Sequence, residues 1–251
     1  MQNDKFYYQA NDNLDVISRV EPLLANRSWY VNAKTGLITQ TFMGADITTP
    51  WVYVKHASRL DCFWWKGILF NFFSDVLGTP PIGCHSCWKI VIRPKNVVQL
   101  ASLERYLEGL KFKVPGCKLG CEQRPKVNAL YGAYVYFYSQ EVALTALPSI
   151  RSSVRTFLND DIDVFLKRGC TEYEEHWGDP DMWAIHPSQQ KNEDFIRSCF
   201  AYERINPPMP EILKAKVRKL WVRKACEHGD KEYRNLTEMP FHVEYKRYED
   251  V

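Results

Sequence analysis

A chain of 251 residues with 45% apolar and 25% charged residues is composed like a globular protein, which excludes a disordered chain, and it is long enough to bury a core without disulfide staples. Its formal net charge of +3 is too mild to imply nucleic acid from overall balance, so any such partner has to be argued from local patches. Aromatic residues are abundant at 14%, with 8 Trp and 14 Tyr.

In chain order, Leu14 to Ala25 reads as a short polar helix, followed by two strand-like runs, Gly36 to Phe42 and Pro50 to Lys55. Phe63 to Leu77 (FWWKGILFNFFSDVL) has membrane-like composition but is shorter than the roughly 20 apolar residues that span a bilayer. Lys66 and Asp75 also interrupt it, so it reads as a buried aromatic helix, and no membrane insertion is expected. Thr79-Pro80-Pro81 then breaks the chain. Cys87 to Arg93 (CWKIVIR) alternates as a strand ended by Pro94. Asn96 caps a helix through Leu110 with Val97, Leu100, Leu103, Leu107 and Leu110 on one face. After the Pro115-Gly116 turn, Cys117 to Arg124 forms a short strand and Tyr131 to Tyr138 an aromatic, alternating one. A second helix carries Ala143, Leu147, Ile150, Val154 and Phe157, with Pro148 as its kink or its start. Ile162 to Arg168 is the fourth strand of this region, stopped by Gly169.

Residues 83–170 thus run β-α-β-β-α-β, the order of the ferredoxin-like split motif, a two-layer sandwich. The predicted class is α+β, with an N-terminal α/β extension over 1–82 packed on the ferredoxin-like core over 83–170. An acidic loop and a basic helical C-terminal region occupy 171–251. This fold hosts many functions, so it sets geometry and leaves activity open.

The eight cysteines carry the chemistry. The N-terminus MQNDKFYYQANDNLD has no basic start or apolar stretch, so the expected compartment is the reducing cytoplasm, where paired cysteines hold metal. Cys84-x-x-Cys87 and Cys117-x-x-x-Cys121 each can donate two thiolates to one ion. In the expected topology the first two strands run parallel, so both pairs reach one end of the sheet, where the fourth strand delivers Cys170. Cys84, Cys87, Cys117, Cys121 and Cys170 are therefore the candidate ligands of a structural Zn²⁺. A [4Fe–4S] cluster is the alternative, with Cys170 able to replace one of the four. Cys62, Cys199 and Cys226 have no partner in this pattern and read as ordinary thiols, and His85 fits a supporting or solvent-facing role.

Ala133-Tyr134-Val135-Tyr136-Phe137 resembles the latter half of the RNP1 signature of RNA-recognition motifs, departing from it at Tyr131 and Gly132. The resemblance implies that Tyr134 stacks a base with Tyr136 nearby, while Lys89 and Arg93 of the first strand meet phosphates. Two other readings of that face are cover by the Trp- and Phe-rich N-terminal region and pairing with a protein partner or a second copy. The helix Glu211 to Cys226 (EILKAKVRKLWVRKAC) sets Lys216, Lys219 and Arg223 beside an apolar stripe of Ile212, Leu213, Val217, Leu220 and Trp221, a candidate for tracking a phosphate backbone. No Walker loop, dinucleotide-binding glycine pattern, HExxH or GxSxG occurs, and the acidic segment Cys170 to Trp183 reads as an exposed loop, with His176 the group to test for activity. The sequence therefore points to a structural-zinc protein that binds RNA or single-stranded DNA. Its alternatives are an iron–sulfur protein with a redox or catalytic role and a non-enzymatic assembly subunit.

Overall fold

The computed structural model describes residues 15–25, 29–40, 49–54, 61–111, 114–124, 126–201, 209–237 and 248. The expected strand ends at 41–42 and 55, and the first residue of the expected N-terminal helix, Leu14, lie outside them. The protein is mixed α+β. From the N-terminus the elements are α1 (Val16–Ala25), β1 (Trp29–Val31), β2 (Ile38–Gln40) and β3 (Trp51–Val54). A π-helical segment, Phe63–Phe70, runs directly into α2 (Asn71–Leu77), and a single turn, α3 (Ile82–His85), precedes β4 (Trp88–Arg93). Then come α4 (Val97–Gly109), β5 (Gly116–Cys121), β6 (Tyr131–Phe137), α5 (Gln140–Leu158) and β7 (Asp163–Arg168). The chain closes with α6 (Thr171–Trp177), α7 (Gln189–Cys199), β8 (Phe200–Ala201) and α8 (Glu211–Glu227).

The central sheet has the order β3-β5-β6-β4-β7, with every neighbouring pair antiparallel. Alternation along each strand sends Ile90, Ile92, Ala133, Val135, Phe137 and Leu119 to one face, where they pack on Leu100, Leu103 and Leu107 of α4 and Ile150 and Val154 of α5. α4 starts as its sequence requires: the Asn96 side chain accepts a hydrogen bond from the Gln99 backbone N–H at 2.9 Å. Pro148 lies inside α5, so it is not the helix start, and Asn159 ends that helix in the left-handed region with φ 50°. On the edge strand β7, Arg151 Nε donates to the Val164 carbonyl (3.0 Å) and Arg155 Nε to that of Ile162 (3.2 Å). Occupied carbonyls make this edge a poor template for another strand.

α8 joins the same core. Val217, Trp221 and Ala225 are buried against it, and Trp221 Nε1 donates to the Pro50 carbonyl at 2.7 Å. That carbonyl also lies against Gly120 of β5. A Cβ added to Gly120 would sit 2.0 Å from Pro50 O and 3.0 Å from the Trp51 ring. Gly120→Ala is therefore expected to prise β3 from β5 and cost about 1–3 kcal/mol, read as a lower urea midpoint. A variant as stable as the wild type would show that β3 shifts without penalty.

Chain from both ends of the sequence covers the other face of the sheet. The π-helical segment, α3 and α6 lie over it, backed by a second apolar cluster that includes Val16, Val20, Trp64, Ile68, Phe73, Ile196 and Phe200. In this layer β1 pairs antiparallel with β2, and β8 pairs parallel with β2 through Ile38↔Phe200. A bidentate contact of Arg19 with Asp75 (2.7 and 2.9 Å) fixes α1 to α2. Among the described residues no helix is long and apolar enough to cross a membrane.

Candidate metal centre

Between the covered sheet face and its lid lies a cavity of about 390 Å³. Four cysteines line it: Cys62, Cys84, Cys87 and Cys170. Each arrives by a different local device. Cys62 stands at the N-terminus of the π-helical segment. Cys84 lies in the single turn α3, and Cys87 leads into β4. Cys170 follows β7 and precedes α6, placed by a Gly169 whose φ is 57°. Only glycine suits that turn, because its φ is left-handed and a Cβ there would meet the Trp183 ring at 2.6 Å.

The loop carrying Cys84 and Cys87 is held on several sides. Cys84 N–H donates to Pro81 O (2.7 Å), Cys87 N–H to Cys84 O (3.2 Å), and Gly169 N–H to Cys87 O (2.8 Å). Arg168 Nε takes the His85 carbonyl (2.9 Å) and the Ile82 N–H reaches Glu193 (2.9 Å). Gly83 lies against the indole of Trp65, so close that a Cβ would be 2.2 Å from the ring. The loop geometry is therefore set before any ligand binds. The Cys84 thiol donates to the Tyr173 hydroxyl at 3.5 Å. Burial pushes the Cys87 thiol up to about 12 and that of Cys84 well above its ordinary value, with the Cys170 sulfur adding to both. Metal ligation at these sulfurs must therefore displace protons.

The floor of the cavity is the face expected to bind nucleic acid, and it is not open. Tyr134 is 2% and Tyr136 6% exposed, packed with Cys87, Val91, Trp51, Trp65 and Phe165. A base has no surface to stack on there, which corrects the open-face expectation. Lys89 and Lys118 rise from the same floor. Lys89 Nζ is 5.4 Å and Lys118 Nζ 5.5 Å from the Tyr134 ring centroid, and Lys118 is 4.5 Å from that of Trp51. Burial pulls the Lys118 ammonium down to about 8. For Lys89 burial pulls the same way, but Cys170, Cys87 and Tyr134 together raise it and the net direction is up. Arg93 donates to the Tyr134 hydroxyl (3.2 Å), which in turn donates to Glu122 (2.9 Å). Glu122 is also paired by Arg124, and Arg124 reaches Glu172 at 3.1 Å, the carboxylate that pairs Lys66. Burial works against the Glu172 charge, but hydrogen bonding to Lys66 and the nearby Arg124 charge bring it down to about 2.

Cys117 and Cys121 are elsewhere. Cys117 pairs in register with Val135 and Val54, and both cysteines are buried in the helix-side core, on the opposite face of the sheet from Lys118. Cys121 is also opposite Tyr131, at the far end of β6 from Phe137, which pairs with Trp88 beside Cys87. The sheet itself therefore separates them from Cys84, Cys87 and Cys170, and the five cysteines do not form one site. The cause is strand parity: the CxxxC pair lies within β5, where an even spacing puts both thiols on one face, and that face packs on the helices. Among the described residues no three Cys, His, Asp or Glu side chains converge closely enough to hold a single ion. Cys62 is the lining cysteine that sequence spacing does not identify, because its approach depends entirely on how the π-helical segment docks.

The remaining candidates are dispersed. Lys216, Lys219 and Arg223 are exposed on α8, which packs on the helix side of the sheet, away from Tyr134 and Tyr136. Arg223 lies 3.6 Å from Glu227, while Lys214 and Arg218 of the same helix bind Glu108 and Glu104. The acidic segment after Cys170 is helical over Thr171–Trp177, and three of its carboxylates, Glu172, Glu174 and Glu175, pair with Lys66, Lys167 and Lys126. His176 packs on Phe70 and Trp177 and does not line the cavity, and His85 lies near Pro80 O and Thr79. Compared with protein-family models, curated proteins and solved structures, the chain matches none.

Proposed function

We propose that this is an iron–sulfur protein, built on a ferredoxin-like sandwich, whose cluster is ligated by Cys62, Cys84, Cys87 and Cys170. The observation that carries the reading is the presence of four thiols around one cavity of about 390 Å³ with aromatic walls. Ligand spacing and cavity size favour a cluster over one zinc ion. Zn–S bonds of about 2.3 Å require four sulfurs nearly in contact around a single point, and the described residues offer no such convergence. A cubane presents its iron atoms at separate corners, so its cysteines stand further apart and surround a volume. Trp51, Trp65, Tyr134, Tyr136 and Tyr173 would shield the cluster from water, which is one of the levers that sets its potential. The ferredoxin-like assignment draws on the element order β4-α4-β5-β6-α5-β7 and the strand order β5-β6-β4-β7.

The test is anaerobic reconstitution of the full chain with ferrous iron and sulfide, followed by metal analysis and a visible spectrum. About four irons per chain with a broad band near ~400 nm is the expected result. One zinc in the protein as purified, with no iron uptake, would return the reading to a structural zinc, and no metal at all would overturn both.

A further inference from the structure

We infer that Lys89 and Lys118 are the counter-charges of the cluster and hold its reduction potential up, an inference that rests on the iron–sulfur reading above. The other ionic groups lining the cavity have opposite partners: Lys66 with Glu172, and Arg124 with Glu122 and Glu172. Lys89 and Lys118 have no carboxylate partner among the described residues, although Lys89 is only 3% exposed. What they meet instead are the ring faces of Tyr134 and Trp51, in a cavity that Cys87 and Cys170 also line.

A buried ammonium without an anion is costly, and packing alone would be served as well by methionine. The two strands that carry these lysines, β4 and β5, flank β6, so both ammonium groups rise on the cavity side of the sheet toward the thiols. A thiolate-ligated cubane is anionic and becomes more so on reduction. Fixed positive charge beside it stabilises the reduced form more than the oxidised one. The step concerned is uptake of one electron from an external one-electron donor. No bond forms or breaks, and the four sulfur ligands stay in place.

The experiment is a mediated dithionite titration of the reconstituted full chain, followed by visible absorbance and electron paramagnetic resonance. Wild type is compared with Lys89→Met, Lys118→Met, the double variant, Lys89→Arg and Lys118→Arg. Each methionine variant should have a lower midpoint potential than wild type, the double variant a lower one still, and the arginine variants should stay near wild type. Unchanged potentials in both loaded methionine variants overturn the inference and leave the cluster reading intact. A methionine variant that takes up no iron, with loading restored by its arginine counterpart, supports the same role at the loading step. If neither counterpart loads, charge is not what the site needs and the inference fails. A wild-type chain that takes up no iron sinks the cluster reading itself.

Discussion

Serine at Cys84 and Cys170 together is expected to abolish iron uptake, whereas alanine at Cys117 and Cys121 together should leave the iron content at the wild-type level. The two double variants remove the same number of thiols, and both pairs belong to the five-cysteine set that spacing and the expected topology bring together. Their opposite outcomes follow from strand parity. Cys84 and Cys170 line the cavity beneath the π-helical segment, while Cys117 and Cys121 are buried among leucines and valines on the other side of the sheet. Alanine is the right replacement for the core pair, because a serine hydroxyl there would be buried in an apolar layer at a cost of about 1–3 kcal/mol. The core variant should lose stability through two small cavities. Loss of iron in the Cys117/Cys121 variant at undiminished helicity would show that the site is formed across the sheet end after all. Retention of iron in the Cys84/Cys170 variant would remove the cavity from consideration.

The contrast between these cysteine pairs also marks how far the sequence could be read. The six elements expected over 83–170 are present in the expected order, because their signals are local: the Asn96 cap, the leucine stripe of α4, and the alternation of Trp88–Arg93 and Tyr131–Phe137. The Cys84-x-x-Cys87 loop and Cys170 do meet, since Trp88 pairs with Arg168 and the two ends adjoin. The expected site at Cys117 and Cys121 left strand parity out. Both lie within the strand whether it starts at Gly116 or at Cys117, and their even spacing commits them to one face, here the core face. Which face that is depends on how the strand pairs and packs, which the local sequence does not state.

Other features were beyond local reading because they are tertiary. The polar and aromatic side chains Lys89, Lys118, Tyr134 and Tyr136 alternate as a solvent-facing set would; cover by the Trp- and Phe-rich N-terminal region is one of the readings the sequence allows, and which one holds is decided outside β4 to β6. That lid is assembled from segments at both ends of the chain, including α7 and β8, which pack with the aromatic helix behind the site. Cys62 belongs to the site only through that lid. The acidic run after Gly169 was similarly opaque: read by composition it is a loop, but Glu172 and Glu174 have cationic partners waiting on other elements, and the segment folds as a helix over the cavity.

Trp221→Ala should destabilise the protein by about 3–5 kcal/mol, the range for removing a large aromatic side chain from a packed core. The residue is 1% exposed, and its indole bridges α8 to the residue preceding β3 through the bond to Pro50 O. The size of the loss distinguishes two pictures of α8. As a mobile basic arm reaching for a phosphate backbone, the helix would tolerate alanine there with a loss below about 1 kcal/mol. As a third helix of the core, with Lys214 and Arg218 tied to Glu108 and Glu104 of α4, it cannot. Trp221→Phe separates packing from the hydrogen bond, because it keeps most of the ring but leaves the Pro50 carbonyl without its indole donor. Gly120 already crowds that oxygen so closely that no side chain could replace the donor from the β5 side. The phenylalanine variant should therefore lose about 1–3 kcal/mol, less than alanine does. Urea unfolding of the two variants beside wild type measures both losses, and two equally small ones would release α8 from the core and reopen its basic face as a binding surface.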